Sequence, residues 1–235
     1  MVMKLIRLVA RFVHSLSFKL SFYSGLILFL AILVFASHSI TAQEQNLIDK
    51  MIQGALKDSE VIKAAIWNGM LTKDREVIKE IVSAVGATGG FETVNIYDAG
   101  GLVRYSSSAE KLGQRASAET EPLLAQLPTD TTARHRISED GQWLLVVNPL
   151  VNTASCSSAA CHAHPQSDKV LGALRIRVPL AGVRSEIQAN ARKTTLFAAF
   201  LFVLISTIIG LAVIFLVTPN LRALQENAAK MARGE

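Results

Sequence analysis

The stretch VNIYDAGGLVRYSSSAEKLGQRAS, Val94 to Ser117, sets two short apolar–polar runs on either side of an Asp-Ala-Gly-Gly turn. FETVNIYD, AGG and LVRYSSS read as strand, turn and strand, a β-hairpin. Upstream, TKDREVIKEIVSAVGA has a start signal at Thr72 and places Ile78, Ile81, Val82 and Val85 on one helical face, ended by Gly86, Gly89 and Gly90. Before it, NLIDKMIQGALKDSEVIKAAIWNGM carries Ile48, Ile52, Ala55, Ile62 and Ile66 at helical spacing, so a long helix is expected. Downstream, AETEPLLAQLP is a short helix closed by Pro128. ARHRIS, the turn EDG and QWLLVVNPLV form a second hairpin. KVLGALRIRVPL is the last strand, and AGVRSEIQANARK returns as a helix. The expected order is helix–helix–β–β–helix–β–β–loop–β–helix, an α+β fold.

Two apolar segments frame these elements. Leu20 to Ile40 is 21 residues without a charge and Thr194 to Val217 is 24. Each is long enough to cross a hydrocarbon core of about 30 Å as a helix, and they account for most of the mean hydropathy of +0.34. The first is longer than a signal-peptide core and reads straight on into a helical pattern, so a retained anchor is expected.

Lys4, Arg7, Arg11 and Lys19 precede the first span. Arg222, Lys230 and Arg233 follow the second, against Glu226 and Glu235. Residues 43–193 hold 17 basic and 17 acidic side chains, so the whole net charge of +5 lies on the flanks. That is a positive-inside pattern with both termini cytoplasmic. The pI of 9.4 is therefore a topology signal and not a nucleic-acid footprint. The organisation expected is a cytoplasmic segment 1–19, a span 20–42, a single outer domain 43–193, a span 194–217 and a cytoplasmic helix 218–235.

The hairpin Val94–Ser117, with its hydrophobic–Asp–x–x–Gly–x–hydrophobic pattern, serine pair and Leu112-Gly113, resembles the periplasmic PAS-like, Cache-type sensor domains. The resemblance covers Gln43 to Lys193 and implies a PAS-like antiparallel sheet with a long N-terminal helix, inserted between two membrane helices. VTPNLRALQENAAKMARGE, with Pro219 after the span and Leu221, Leu224, Ala228 and Met231 near heptad spacing, resembles the first helix of a HAMP linker. That resemblance implies a homodimer. It also implies output through a further module of the chain or through a cytoplasmic signalling partner, since the second HAMP helix and any output module are not in this sequence.

Both cysteines of the chain lie in CSSAACHAHP, Cys156 to Pro165. Outside a cytoplasmic membrane two thiols do not stay free, and three chemistries suit them. C-x-x-C-H attaches c-type haem through two thioethers, with the histidine as axial ligand. Here the spacing is C-x-x-x-x-C-H, with His162 directly after Cys161. A local Cys156–Cys161 disulfide would close only a few residues and add little. A metal site would use Cys156, Cys161, His162 and His164, at closer spacing than structural zinc favours. NTASCSSAACH followed by VLGALRIRV resembles the haem-c-binding members of the same sensor family, with a longer spacer. The resemblance assigns Cys156 and Cys161 to one covalent haem per chain and His162 to the iron. In that family the distal ligand tends to come from the N-terminal helical region. Met70, continuing the Ile62–Ile66 stripe, is the first candidate, ahead of Met51 and His135.

No G-x-S-x-G, H-E-x-x-H or P-loop occurs in the sequence, so no enzyme is expected. Asp98 and Asp140 sit in turn motifs, where Asp serves the backbone. The leading expectation is an inner-membrane haem sensor responding to redox state or to a small gas such as NO, CO or O₂. The others are an anchored monohaem cytochrome passing electrons to a partner complex, and a Cache-type domain that binds an organic ligand and uses its cysteines as a clip.

Overall fold

The computed structural model describes residues 16–72, 74–126, 131–154, 156, 165, 167–220, 227, 230, 231 and 233. Two compact units are present. One is Gln45–Glu186; the other is formed by the flanking segments, up to Glu44 and from Ile187 onward.

In the flanking unit, α1 (Leu16–Leu71) and α4 (Ala181–Ala212) supply two helices long and apolar enough to cross a membrane. Their large apolar side chains, Phe22, Phe29, Phe35, Phe197 and Phe200 among them, stay exposed. Phe29 meets Phe202 edge to face at 5.5 Å. α4 runs on into a π turn, Val213–Val217, where the Thr218 hydroxyl donates to Val213 O at 2.9 Å, just before Pro219. Of the HAMP-like stretch, Leu221, Leu224 and Ala228 lie outside the described residues.

The central unit is an α+β domain. α2 (Arg75–Gly86) follows α1; then come β1 (Thr93–Asp98), β2 (Val103–Ser106), the short α3 (Glu121–Leu124), β3 (Arg134–Ile137), β4 (Trp143–Val151) and β5 (Val170–Pro179). The strands form one antiparallel sheet in the order β2-β1-β5-β4-β3, the PAS-like arrangement expected. One expectation shifts. α2 starts from Asp74, whose carboxylate accepts from Val77 N at 3.1 Å, and not from Thr72. Thr72 instead donates its hydroxyl back to Asn68 O at 2.9 Å and so finishes α1. A carboxylate caps exposed N–H groups with a full charge, and the shorter hydroxyl is satisfied by the turn behind it.

The core explains the alternation. Val94 and Ile96 of β1, Leu174, Ile176 and Val178 of β5, and Leu144, Val146 and Leu150 of β4 share one sheet face. Against them pack Ala55, Ile62 and Ile66 of α1 and Ile78 and Val82 of α2. Residues at i, i+3 and i+4 make one stripe on a helix, which is why both helices lie on the same face. The other face carries Leu145, Val147 and Ala173 beneath Leu123.

Two glycines are fixed by geometry. Gly101 closes the β1–β2 turn at φ 77°. A Cβ on Gly172 would strike the carbonyl oxygen of Tyr97 on the neighbouring strand. In that turn Asp98 accepts from Gly100 N and Leu102 N, each at 2.9 Å, and from Arg104 Nε at 2.8 Å. Burial pushes the Asp98 carboxyl up. The Leu102 N–H, the Arg104 guanidinium and the Gly100 N–H together outweigh it, and the group stays below the usual carboxylate range. Asp140 likewise accepts from Gln142 N at 2.9 Å within a turn. Both aspartates serve the backbone.

Candidate functional site

The cysteine loop leaves β4 and returns to β5, and Asn152 clamps its base. The Asn152 amide donates to Pro165 O at 3.0 Å and to Asp168 O at 2.8 Å, and its backbone N donates to Lys169 O at 2.9 Å. The asparagine four residues before Cys156 therefore has a positional role. It holds both ends of the excursion at one point of the sheet edge. Cys156 N donates to Thr153 O at 3.0 Å, and the Cys156 sulfur lies 3.5 Å from Thr153 Oγ1. The Cys156 thiol is free and only 8% exposed.

Thr153 is also the wall of a cleft of about 260 Å³, lined by Glu60, Lys63, Ala64 and Trp67 of α1 and by Val151 and Thr153. Val151 joins it because the β4–β5 register shifts between Leu150 and Val151. Such a bulge re-aims a side chain that strict alternation would send to the opposite face. Apolar walls thus stand beside the one described thiol, with a cation at the rim.

The rim is held by a polar network that spans more than 80 residues of sequence. Asn148, wholly buried, donates to Ser59 Oγ at 3.0 Å and to Glu60 Oε1 at 2.9 Å. Its Oδ1 accepts from Lys63 Nζ at 2.8 Å, and Lys63 pairs with Glu60 Oε2 at 2.8 Å. The Lys63 ammonium holds the Glu60 carboxyl below its usual range, and Asn148 adds to this against the opposing effect of burial. Sequence reasoning missed this network. Its only signal was a polar residue at a core-facing position of an otherwise apolar strand.

The other expected site residues are dispersed. Cys161, His162 and His164 lie outside the described residues. Met70 and Met51 pack, half-buried, against the apolar core. Met70 is one turn beyond Trp67 and does not line the cleft. His135 is exposed on the edge strand β3, opposite Val146. Among the described residues no three His, Cys, Asp or Glu side chains gather as a metal centre.

No family model and no curated protein matches the chain. Among solved structures it is similar to the sensor domain of the V. cholerae histidine kinase DctB, with a TM-score of 0.48 and 11% identity over 66% of this chain and 59% of that one. It thus spans less than two thirds of that protein's length. It is also similar to the E. coli DcuS sensor domain, with a TM-score of 0.40 and 18% identity over 63% of this chain and 98% of that one. A third is the ligand-binding domain of the Pseudomonas aeruginosa PAO1 amino acid chemoreceptor PctC in complex with GABA, at 0.40 and 15% over 64% and 62%.

Proposed function

We propose that this chain is a two-pass inner-membrane sensor whose outer, periplasmic domain carries one covalent haem c on Cys156 and Cys161, with His162 on the iron and Met70 as distal ligand. The observation that carries the reading is the setting of Cys156. A buried thiol, at the end of a loop clamped by Asn152, adjoins a cleft walled by Ala64, Trp67 and Val151.

Those residues fit the group. A thioether needs a cysteine held at the porphyrin edge, the macrocycle needs apolar walls, and a propionate needs a cation such as Lys63. Haem would supply one-electron chemistry and an iron able to take a small gas.

The chain's own part is positioning and coupling. Asn152 fixes where the loop starts and ends. Its N–H on Lys169 O ties the loop to the start of β5. β5 feeds α4 almost directly, since Arg184 N donates to Leu180 O at the first helical turn. The cleft's other wall is α1. A change at the loop therefore acts on the two helices that carry the spans, through one strand and one polar network. Switching of this kind needs two arrangements close in energy, and a wall of hydrogen bonds that can exchange partners supplies them more readily than a packed apolar one.

The test is a haem stain of the full chain on a denaturing gel, since thioethers survive denaturation. Staining should be present in the unaltered protein. Cys156→Ala and Cys161→Ala should each lose most of it while still inserting in the membrane. Absent staining of the unaltered chain, matured in cells able to attach haem, rejects the reading and leaves the cysteines as a clip.

A further inference from the structure

The sheet face away from α1 and α2 carries a charge that nothing in the fold neutralises. Arg175 of β5 stands opposite Asn95 of β1 and Val147 of β4 and is only 6% exposed. No Asp or Glu pairs with it among the described residues, and its Nε is buried without a hydrogen-bond partner. Its one polar neighbour is neutral. Asn95, oriented so that its amide nitrogen donates to Ser106 Oγ at 2.7 Å and Val94 O at 3.0 Å, accepts from Arg175 Nη1 at 3.1 Å. Tyr97 Oη lies 3.4 Å from the same amide. The next rows add positive charge. Arg134 and Arg136 of β3 share this face, as does Arg177, which pairs with Glu92 at 2.9 Å and stacks on Trp143 at 4.4 Å.

A guanidinium cannot shed its proton to escape burial, as a lysine can. Desolvating it without a counter-charge is among the largest penalties a fold can carry. Asn95 satisfies one edge. The Nε edge, which takes a planar oxyanion side-on through two parallel bonds, is left open. We propose that this face is an anion site, independent of the cysteine loop, in which Arg175 binds the carboxylate of a small organic acid, with Asn95 and Tyr97 orienting the guanidinium. Open volume is at hand on the same strand: a cavity of about 470 Å³ lies at its Gly172 end, between Asp98, Leu124 and Asp168–Val170.

The test is the melting temperature of the full chain in detergent, in formate, acetate or succinate against chloride at constant ionic strength. At least one carboxylate should raise Tm by about 5 °C or more at a hundredfold excess over its Kd. Arg175→Met should abolish the rise. Asn95→Asp places a carboxylate within the chain beside the guanidinium. It should raise Tm without ligand and remove the response, and it keeps the test open should Arg175→Met fail to fold. Equal Tm in all four anions, or an undiminished rise in either variant, overturns the proposal. Haem staining is read in the same samples and should be unchanged by both variants, so failure here is separable from failure of the haem reading.

Discussion

At the scale of single residues, Met70 and Asn148 show how spacing and surroundings can point apart. Met70 continues the Ile62–Ile66 stripe, and the structure packs it against the same core as those isoleucines. Thioether side chains fill cores well, so its packing and its proposed place on the iron compete for one side chain. The two roles differ spectroscopically. With Met70 as the distal ligand, the haem protein is low-spin, and Met70→Ala should turn it high-spin and open it to CO, while Met51→Ala should do neither. A haem protein that is high-spin and binds CO before any substitution leaves Met70 as core alone. The same change in His135→Ala would move the ligand to β3. Asn148 was legible only as an exception, an amide inside WLLVVNPLV. Arg175 was less legible still. LRIRVPL alternates as a half-exposed strand does, and nothing local says that the arginine face is covered.

At the scale of elements, the strands and long helices were readable because burial on one face imposes a period of 2 or of 3.6 on the residues that must supply it. The hairpin Val94–Ser106, the helix Arg75–Gly86 and the strand Val170–Pro179 all follow from that. What the period could not reveal is where it breaks. The bulge after Leu150 brings Val151 to the helix side, and that one shifted residue completes the cleft wall. Polar partners 85 to 89 residues apart are equally silent in a local pattern. The Ser59–Glu60–Lys63–Asn148 network should fasten α1 to β4. Asn148→Ala strips partners from Lys63 and from a buried Ser59 hydroxyl. Leaving such groups unpaired costs about 1–3 kcal/mol, or a fall in Tm of about 5 °C for a chain of this size. A thermal melt of the variant measures it, and an unshifted midpoint would mean that water replaces the amide without loss. Glu60 ties this link to pH. Its carboxyl is lowered in the folded state, so its contribution is full above the unfolded value near 4.5 and fades as pH falls through the lowered one. Half-exposed as it is, its share is small.

At the scale of the whole molecule, charge and hydropathy carry the organisation. All of the net charge of +5 is on the two flanks, and the central domain is neutral by count. Under the positive-inside rule both ends lie in the cytoplasm and the cysteine loop lies outside, where thiols are oxidised or attached to a group. A two-pass sensor of this kind signals by moving one helix against another, and a partner copy gives that movement something to act on. The resemblance of Val217–Glu235 to a HAMP helix proposes where the copies meet. Leu221, Leu224, Ala228 and Met231 recur at roughly heptad spacing, and apolar residues so spaced form a narrow seam that a second helix covers. Met231, the one of the four among the described residues, is 78% exposed in the single chain, a large apolar side chain left without cover. Single cysteines at these four positions, in a chain with Cys156 and Cys161 left in place, should cross-link between copies in native membranes under mild oxidant. Arg222→Cys and Gln225→Cys, off the seam, should cross-link less by about tenfold, as expected when sulfur atoms cannot come within disulfide reach. Equal cross-linking at all six positions would signify random collision. Efficient cross-linking confined to residues 222 and 225 would turn the helix by roughly a quarter-turn and place Leu221 and Leu224 against the membrane surface.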